Sequence, residues 1–200
     1  MKVARLALTA LAVGVVAGAL TALYGSARRR GVGQKVPDPA KTVDLVAYAG
    51  LWYEVGRYDN PFEAEYEGVT DHYTLAEDGD IQIKATLHKE TADGPMREIS
   101  SKAKIVAGSG NAKWKVSFFG PFYLGDYWVM DHADDYSWSI VGEPTGKLLW
   151  VMARAPHPGL DIWATLQRRV GELAYDWAKV RKVAQPQTSE PVDASYQGES

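Results

Sequence analysis

Short apolar and polar positions alternate through the middle of the chain. Ile81, Ile83, Ala85 and Leu87 alternate with Gln82, Lys84, Thr86 and His88, the period of two of a half-buried strand. Val69 to Leu75, just upstream, is β-branched and aromatic, and Glu77-Asp78-Gly79-Asp80 between them predicts a hairpin because Asp-Gly supplies the positive φ of a tight turn. Asp93-Gly94-Pro95 turns the chain again, after which Ile99, Ser101, Ala103 and Ile105 alternate with Lys102 and Lys104. Beyond Gly108-Ser109-Gly110-Asn111, the run from Ala112 to Phe119 sets Trp114, Val116 and Phe118 against Lys113 and Lys115, until Gly120-Pro121 breaks it. Asp126 to Asp131, Ser137 to Val141 and Lys147 to Arg154 read as further strands, the last two joined by a turn at Glu143-Pro144-Thr145-Gly146. With Trp52 to Tyr58 at the front, the pattern predicts eight short strands in series, an antiparallel meander.

A meander this long must hide its edges, and closure into a barrel removes them. Eight strands enclose a space that side chains fill or that holds one small ligand. The apolar face is then the inside of a barrel, or the facing layers of a sandwich. The expected fold is all-β, an eight-stranded antiparallel up-and-down barrel. After Pro156 and Pro158 the period changes: Leu160, Trp163, Leu166, Val170, Leu173 and Trp177 recur every three or four residues, the stripe of an amphipathic helix packed on the outside of the sheet. A short extended piece, Lys179 to Gln185, follows.

The ends of the chain differ from this middle. Residues 1–30 carry Lys2 and Arg5, an uncharged and mostly apolar run from Leu6 to Tyr24, then Gly25-Ser26-Ala27 and three arginines. Two readings stand: a signal peptide cleaved after Ala27, or an uncleaved anchor, since the run approaches the roughly 20 residues that span a bilayer. The arginines after it disfavour export. Either way the N-terminal segment is expected to meet a membrane. Residues 31–41 form a linker marked by Pro37-Asp38-Pro39, residues 42–186 the folded domain, and residues 187–200 a Pro/Gln/Ser/Glu-rich mobile tail.

Composition narrows the chemistry. With 46% hydrophobic and 24% charged residues in 200, the chain can bury a core, and wholesale disorder is excluded. A net charge of -3 argues against nucleic acid as a partner. Cysteine is absent, which removes disulfides, thiolate metal sites, cysteine nucleophiles and the acylated cysteine of bacterial lipoproteins. His72, His88, His132 and His157 share no ligand spacing, so neither a metal nor a cofactor is expected. A haem carrier would need an inward histidine, and those on strands sit in the phase opposite to the apolar one. Asp134-Asp135 reads as a solvated turn, and Gly108-Ser109-Gly110 lacks the flanks of a nucleophile elbow. Glu54 takes the inward phase of Trp52 if the first strand is regular. A carboxylate there is costly unless paired, and Arg57, in the other phase, is not its expected partner.

Gly50-Leu51-Trp52-Tyr53-Glu54 resembles the Gly-x-Trp signature of lipocalins, and Val151-Met152-Ala153-Arg154-Ala155-Pro156 resembles the segment that carries the family's arginine at the end of its last strand. In such a barrel the first and last strands are antiparallel neighbours. Trp52 and Arg154 should therefore meet at one end, guanidinium over indole, a contact worth about 2 kcal/mol when sheltered from water. Gly50, Trp52 and Arg154 are thus structural rather than ligand-binding candidates. Asp131 to Tyr136 resembles the family's middle motif only loosely. Trp52 to Tyr58 with Phe62-Glu63, Lys115 to Phe122, Tyr127 to Asp131 and Leu149 to Met152 resemble the bacterial lipocalins and their apolipoprotein D-like relatives, over a span from Lys41 to Pro186.

The resemblance implies an open cup for a hydrophobic ligand, in this subgroup a fatty acid or a lysophospholipid, at the cell envelope. The missing cysteine departs from the lipid-anchored members and leaves the apolar N-terminal segment as the attachment. The cavity candidates are Ile83, Ala85, Leu87, Ile99, Val116 and Phe118, with Trp114, Tyr127, Val129 and Trp150 as further wall, though each could equally fill a closed core. At ~0.8 kcal/mol per methylene, a sixteen-carbon chain could gain at most ~13 kcal/mol, whereas micromolar binding needs about 8. No catalytic residue is expected. The alternative is a barrel enzyme acting on a lipid-like or isoprenoid substrate, but the known lipocalin synthase uses a cysteine, which this chain lacks.

Overall fold

The computed structural model describes residues 36–118 and 120–187. The signal or anchor segment 1–30, the start of the linker and the tail from residue 188 lie outside the described residues. The alternating runs become β1 (Gly50–Tyr58), β2 (Tyr66–Leu75), β3 (Ile81–Lys89), β4 (Met96–Ile105), β5 (Lys113–Ser117), β6 (Gly125–His132), β7 (Trp138–Gly142) and β8 (Leu149–Ala153). Each pairs antiparallel with the next, and β1 pairs with both β2 and β8. The sheet therefore closes into an eight-stranded barrel. Trp52 faces Asp71 across one seam and Tyr53 faces Ala153 across the other. The sandwich alternative falls, because one continuous ladder runs from β2 round to β8 and back through β1.

Two features complete the closure, a bulge that the sequence pattern hid and the pairing made by the extended piece expected at Lys179 to Gln185. The first is a bulge in β1: Glu54 faces Met152 and Gly56 faces Val151, so two residues advance on β1 for one on β8. A bulge of this kind resets the in–out phase beyond it. Arg57 consequently turns to the same side as Glu54, which corrects the expectation that the two lie in opposite phases. The second is the C-terminal strand β9 (Val180–Lys182), which pairs with Gly56 to Tyr58 where β2 has left β1. The chain after it continues the bridge. Val183 N–H donates to Val55 O at 3.0 Å, and Gly68 N–H donates to Ala184 O at 2.7 Å. The Gln185 side chain donates to Glu54 O and Val69 O at 2.7 and 3.0 Å. Where β1 and β2 splay, this segment stitches them.

The helix α2 (Leu160–Glu172) lies outside the barrel, burying Leu166 and Val170 in a cluster with Val55, Met130, Ile140 and Val151. Arg169 Nε donates to the buried carboxylate of Asp131 at 2.5 Å and fixes the helix to β6. Two residues of the expected stripe behave differently. Leu160, in the first turn, is 88% exposed. Trp177 lies beyond the helix, which ends at Glu172 with Leu173 as its cap, Ala174 taking a φ of 63°. It sits in a separate 3-10 turn, Trp177–Lys179, and still meets Trp163 edge-on with ring centroids 6.1 Å apart. One four-residue helix, α1 (Leu45–Tyr48), was too short to show a period. Its N-terminus is capped by Asp44 Oδ1, which accepts from Val46 N–H at 2.9 Å and Ala47 N–H at 3.3 Å. It closes one end of the barrel.

Candidate functional site

The closed end is built around Trp52. The Arg154 guanidinium lies 3.9 Å from the centroid of the Trp52 ring. It also donates to Leu51 O at 2.6 Å, Ala47 O and Ala49 O at 2.8 Å and Tyr48 O at 3.1 Å. These include the carbonyls at the end of α1, which no later turn of helix satisfies. Trp52 Nε1 donates to Tyr48 O at 2.8 Å, so the indole and the guanidinium share one short helix as their lid. Gly50 stands at φ 91°, where a side chain would be strained.

Above this plug lies a packed floor. Trp114 stacks on Tyr127 with centroids 4.8 Å apart and 9° between planes, and its Nε1 donates to Asn111 O at 2.6 Å. Val129 belongs to the same buried cluster as Trp52 and Tyr73. Trp114 and Val129 were expected in the cavity wall, and the structure puts them beneath it. Each lies one inward position nearer the closed end than Val116 and Tyr127, and at that depth the aromatic rings fill the barrel.

The other candidates surround a cavity of about 130 Å³ that reaches solvent at the end away from Trp52. Ile83, Ala85 and Leu87 on β3 and Ile99 on β4 form one wall. Val116 and Phe118 continue it, and Tyr127 on β6 and Trp150 on β8 close the circle. At about 30 Å³ per water in the liquid, that is the volume of roughly four waters. Sequence reading missed a polar side. Tyr66, Asp71 and Tyr73 on β2, Arg97 and Ser101 on β4, and Phe62 and Glu63 in the β1–β2 connection also line the cavity. The phase shared with Val69 could have revealed Asp71 and Tyr73, but an aspartate does not announce an inward face.

The polar groups form a connected set. The Tyr73 hydroxyl donates to Asp71 Oδ2 at 3.2 Å and lies 2.7 Å from the Tyr127 hydroxyl. Tyr127 lies 3.1 Å from the Tyr48 hydroxyl, which in turn lies 3.2 Å from Ser139 Oγ. Burial, reinforced by the charge of Glu63, pushes the Asp71 carboxyl up to about 7. Burial likewise pushes Tyr48 up to about 12, and raises Tyr73 and Tyr127 well above the ordinary phenol value. Behind this wall, Arg57 Nη1 donates to Glu54 Oε1 at 2.6 Å, both side chains being fully buried. Burial and then Glu63 raise the Glu54 carboxyl well above its ordinary value, against the pull of Arg57. Arg57 Nη2 also donates to Glu63 O and Tyr66 O at 2.5 Å each. Glu63 Oε2 accepts from Asn60 Nδ2 at 2.6 Å and Trp150 Nε1 at 2.9 Å. The β1–β2 loop is thereby held over the cavity. At the rim, Arg97 Nη1 donates to the Tyr66 hydroxyl at 3.2 Å.

The remaining polar candidates lie elsewhere. His132 is buried, stacks on Tyr136 at 4.4 Å and contacts Ala133 O and Thr42 O. His88 contacts Gly94 O, His157 contacts Pro186 O, and His72 faces solvent beside Thr74. Asp134 accepts from Lys41 at 3.0 Å and Asp135 from Ser137 N–H at 3.0 Å, both exposed in a turn. Among the described residues no group of three or more His, Cys, Asp or Glu is placed to hold a metal ion, and no helix is long and apolar enough to cross a membrane.

Residues 43–185 match the family described as a lipocalin-like domain. The outer membrane lipoprotein Blc of Vibrio cholerae is 39% identical over 119 residues, covering 59% of this chain and 68% of the relative. Apolipoprotein D of Rattus norvegicus is 29% identical over 158 residues, covering 74% of this chain and 79% of the relative. Among solved structures, the cockroach allergen Per a 4 superposes with a TM-score of 0.61 at 17% identity, covering 77% of this chain and 96% of the other.

Proposed function

The chain belongs to the lipocalin-like domain family, whose members bind small hydrophobic ligands, and from that premise we propose that it binds and carries or stores a fatty acid or lysophospholipid in the barrel cavity at the bacterial cell envelope. The observation that carries this reading is the one-ended cup: plugged by Trp52 and Arg154, open at the other end, and walled mainly by aliphatic and aromatic side chains. Its size limits how much ligand it takes in. Micromolar binding requires about ten methylenes removed from water, about 8 kcal/mol at ~0.8 each before ordering costs, so the mouth must cover part of the chain as well. A sixteen-carbon chain would extend past Phe118 and Trp150 into the mouth. The role proposed is binding without catalysis.

The envelope location draws on the relative named an outer membrane lipoprotein. With no cysteine to acylate, attachment in this chain falls to residues 1–30. Fractionating cells that express the chain with and without that segment tests it; the full chain should pellet with membranes and the shortened one should not.

Native mass spectrometry of residues 31–200 purified from a bacterial host, followed by organic extraction, tests the ligand. A co-purifying single-chain lipid is expected. An unliganded mass, with tryptophan fluorescence unmoved on adding fatty acid or lysophospholipid, would refute the proposal.

A further inference from the structure

An apolar cup needs no carboxyl, yet this one carries Asp71. The side chain lines the cavity one layer above the floor, beside the aliphatic wall of β3 and β4, with Ala85 its cross-strand neighbour and Ile99 next beyond. It accepts a single hydrogen bond, from Tyr73 to Oδ2, and among the described residues it forms no ion pair. An alkyl chain laid against it would cover a polar group without replacing its hydrogen bonds, which is costly. A ligand that offers a donor at that point recovers the cost.

The surrounding charges favour the same ligand chemistry. Glu63 faces Asp71 from the β1–β2 loop, and Glu54 lies behind it on β1, compensated by Arg57. Tyr73 on the same strand, Tyr127 on β6 and Tyr48 on α1 contribute neutral hydroxyls. Asp126 on β6 is paired with Lys115 of β5, and Arg97 sits at the rim with Tyr66. No histidine lines the cavity among the described residues. The interior thus offers carboxyl and hydroxyl oxygens, and among the described residues the one cation that lines it, Arg97, sits at the mouth.

We propose that Asp71 sets the ligand class: its carboxyl receives the hydrogen-bond-donating end of an amphiphile, an ammonium or a hydroxyl, and turns away a free carboxylate. This rests on the cavity reading above and decides between its two ligands, favouring a lipid that carries an amine over a free fatty acid. The discrimination depends on pH. Below about 7 the Asp71 carboxyl is protonated and can donate to a ligand carboxylate; above it the ionised group repels that carboxylate and attracts an ammonium.

The test compares decylamine, decanol and decanoate, three amphiphiles of one chain length that differ only at the polar end, below their micellar concentrations. Binding to the full chain is read by tryptophan fluorescence, since Trp150 lines the cavity. Near pH 8.5 the amine should bind about tenfold or more tighter than decanoate, and near pH 5.5 the gap should close to about threefold. Asp71→Asn, nearly isosteric and checked for folding by circular dichroism, should remove most of that pH dependence. Decanol binding with no preference for amine over acid, or the same pH profile in wild type and Asp71→Asn, would overturn the assignment and leave the cup intact. Failure of all three ligands at every pH would overturn the cup itself, and this assignment with it. Should Asp71→Asn not fold, the wild-type comparison of amine and acid across pH decides alone.

Discussion

Arg57 ties β1 to the loop that borders the cavity. Its guanidinium neutralises Glu54 and holds the carbonyls of Glu63 and Tyr66, so one side chain links the barrel interior to the loop over the mouth. Removing the arginine leaves Glu54 and two loop carbonyls without their donor, whereas Glu54→Gln costs Arg57 its counter-charge but keeps an acceptor in place. Arg57→Ala should destabilise the fold by about 3–5 kcal/mol in urea denaturation. Glu54→Gln should leave lipid affinity within about threefold, because its carboxyl contacts Arg57 and lies outside the cavity lining. A collapse of affinity in Glu54→Gln with the fold intact would give that carboxyl a direct part in binding. The inward Glu54 and its need for a partner were legible in the sequence; the partner was not, because a regular strand puts Arg57 and Glu54 on opposite faces and the bulge that reunites them has no composition of its own.

At the scale of elements, the helix and the sheet meet through a glycine. A Cβ at Gly142, at the end of β7, would lie 2.1 Å from the Tyr175 hydroxyl, which follows α2. The hydroxyl cannot swing away freely, since Tyr175 is buried and packs edge-on against Tyr58 at 5.9 Å. Gly142→Ala should therefore lower the melting temperature, with a loss of about 1–3 kcal/mol. Adding Tyr175→Phe, which removes the clashing oxygen, should restore much of it. An equal loss in the single and double variants would place the strain elsewhere. The helix itself was legible, since Leu166 and Val170 follow its period into the core. Its end was not: Leu173 and Trp177 keep the spacing of a stripe while the backbone between them reverses at Ala174.

For the whole molecule, the buried acids set how stability follows pH. Asp71 stays protonated in the folded barrel up to about 7, while in the unfolded chain it ionises near 3.8. The folded state thus resists ionisation: this contribution is complete below about pH 4, is lost as pH rises to about 7, and is constant beyond. The shift corresponds to about 4 kcal/mol at most. Glu54 acts in the same direction. Urea midpoints measured from pH 4 to 8 should fall with rising pH, and Asp71→Asn should flatten that fall. A wild-type midpoint that climbs over this interval would contradict an unpaired, enclosed Asp71.

The sequence by itself determined the strand series, the outer helix and the pairing of Trp52 with Arg154. Those follow from local period and from the order of strands round a closed meander, both of which survive in one dimension. It also determined most of the aliphatic wall, because Ile83, Ala85 and Leu87 repeat with the pleat of a single strand. Tertiary structure alone decided how deep the cavity runs, since Trp114 and Val129 share the inward phase of Val116 and Tyr127 but lie below the level at which aromatic rings fill the barrel. It alone decided the polar side as well. Asp71, Glu63 and Arg97 become neighbours of one space only when strands and a loop distant in the chain are brought round the same axis, and a bulge in β1 sets which of their supports face inward.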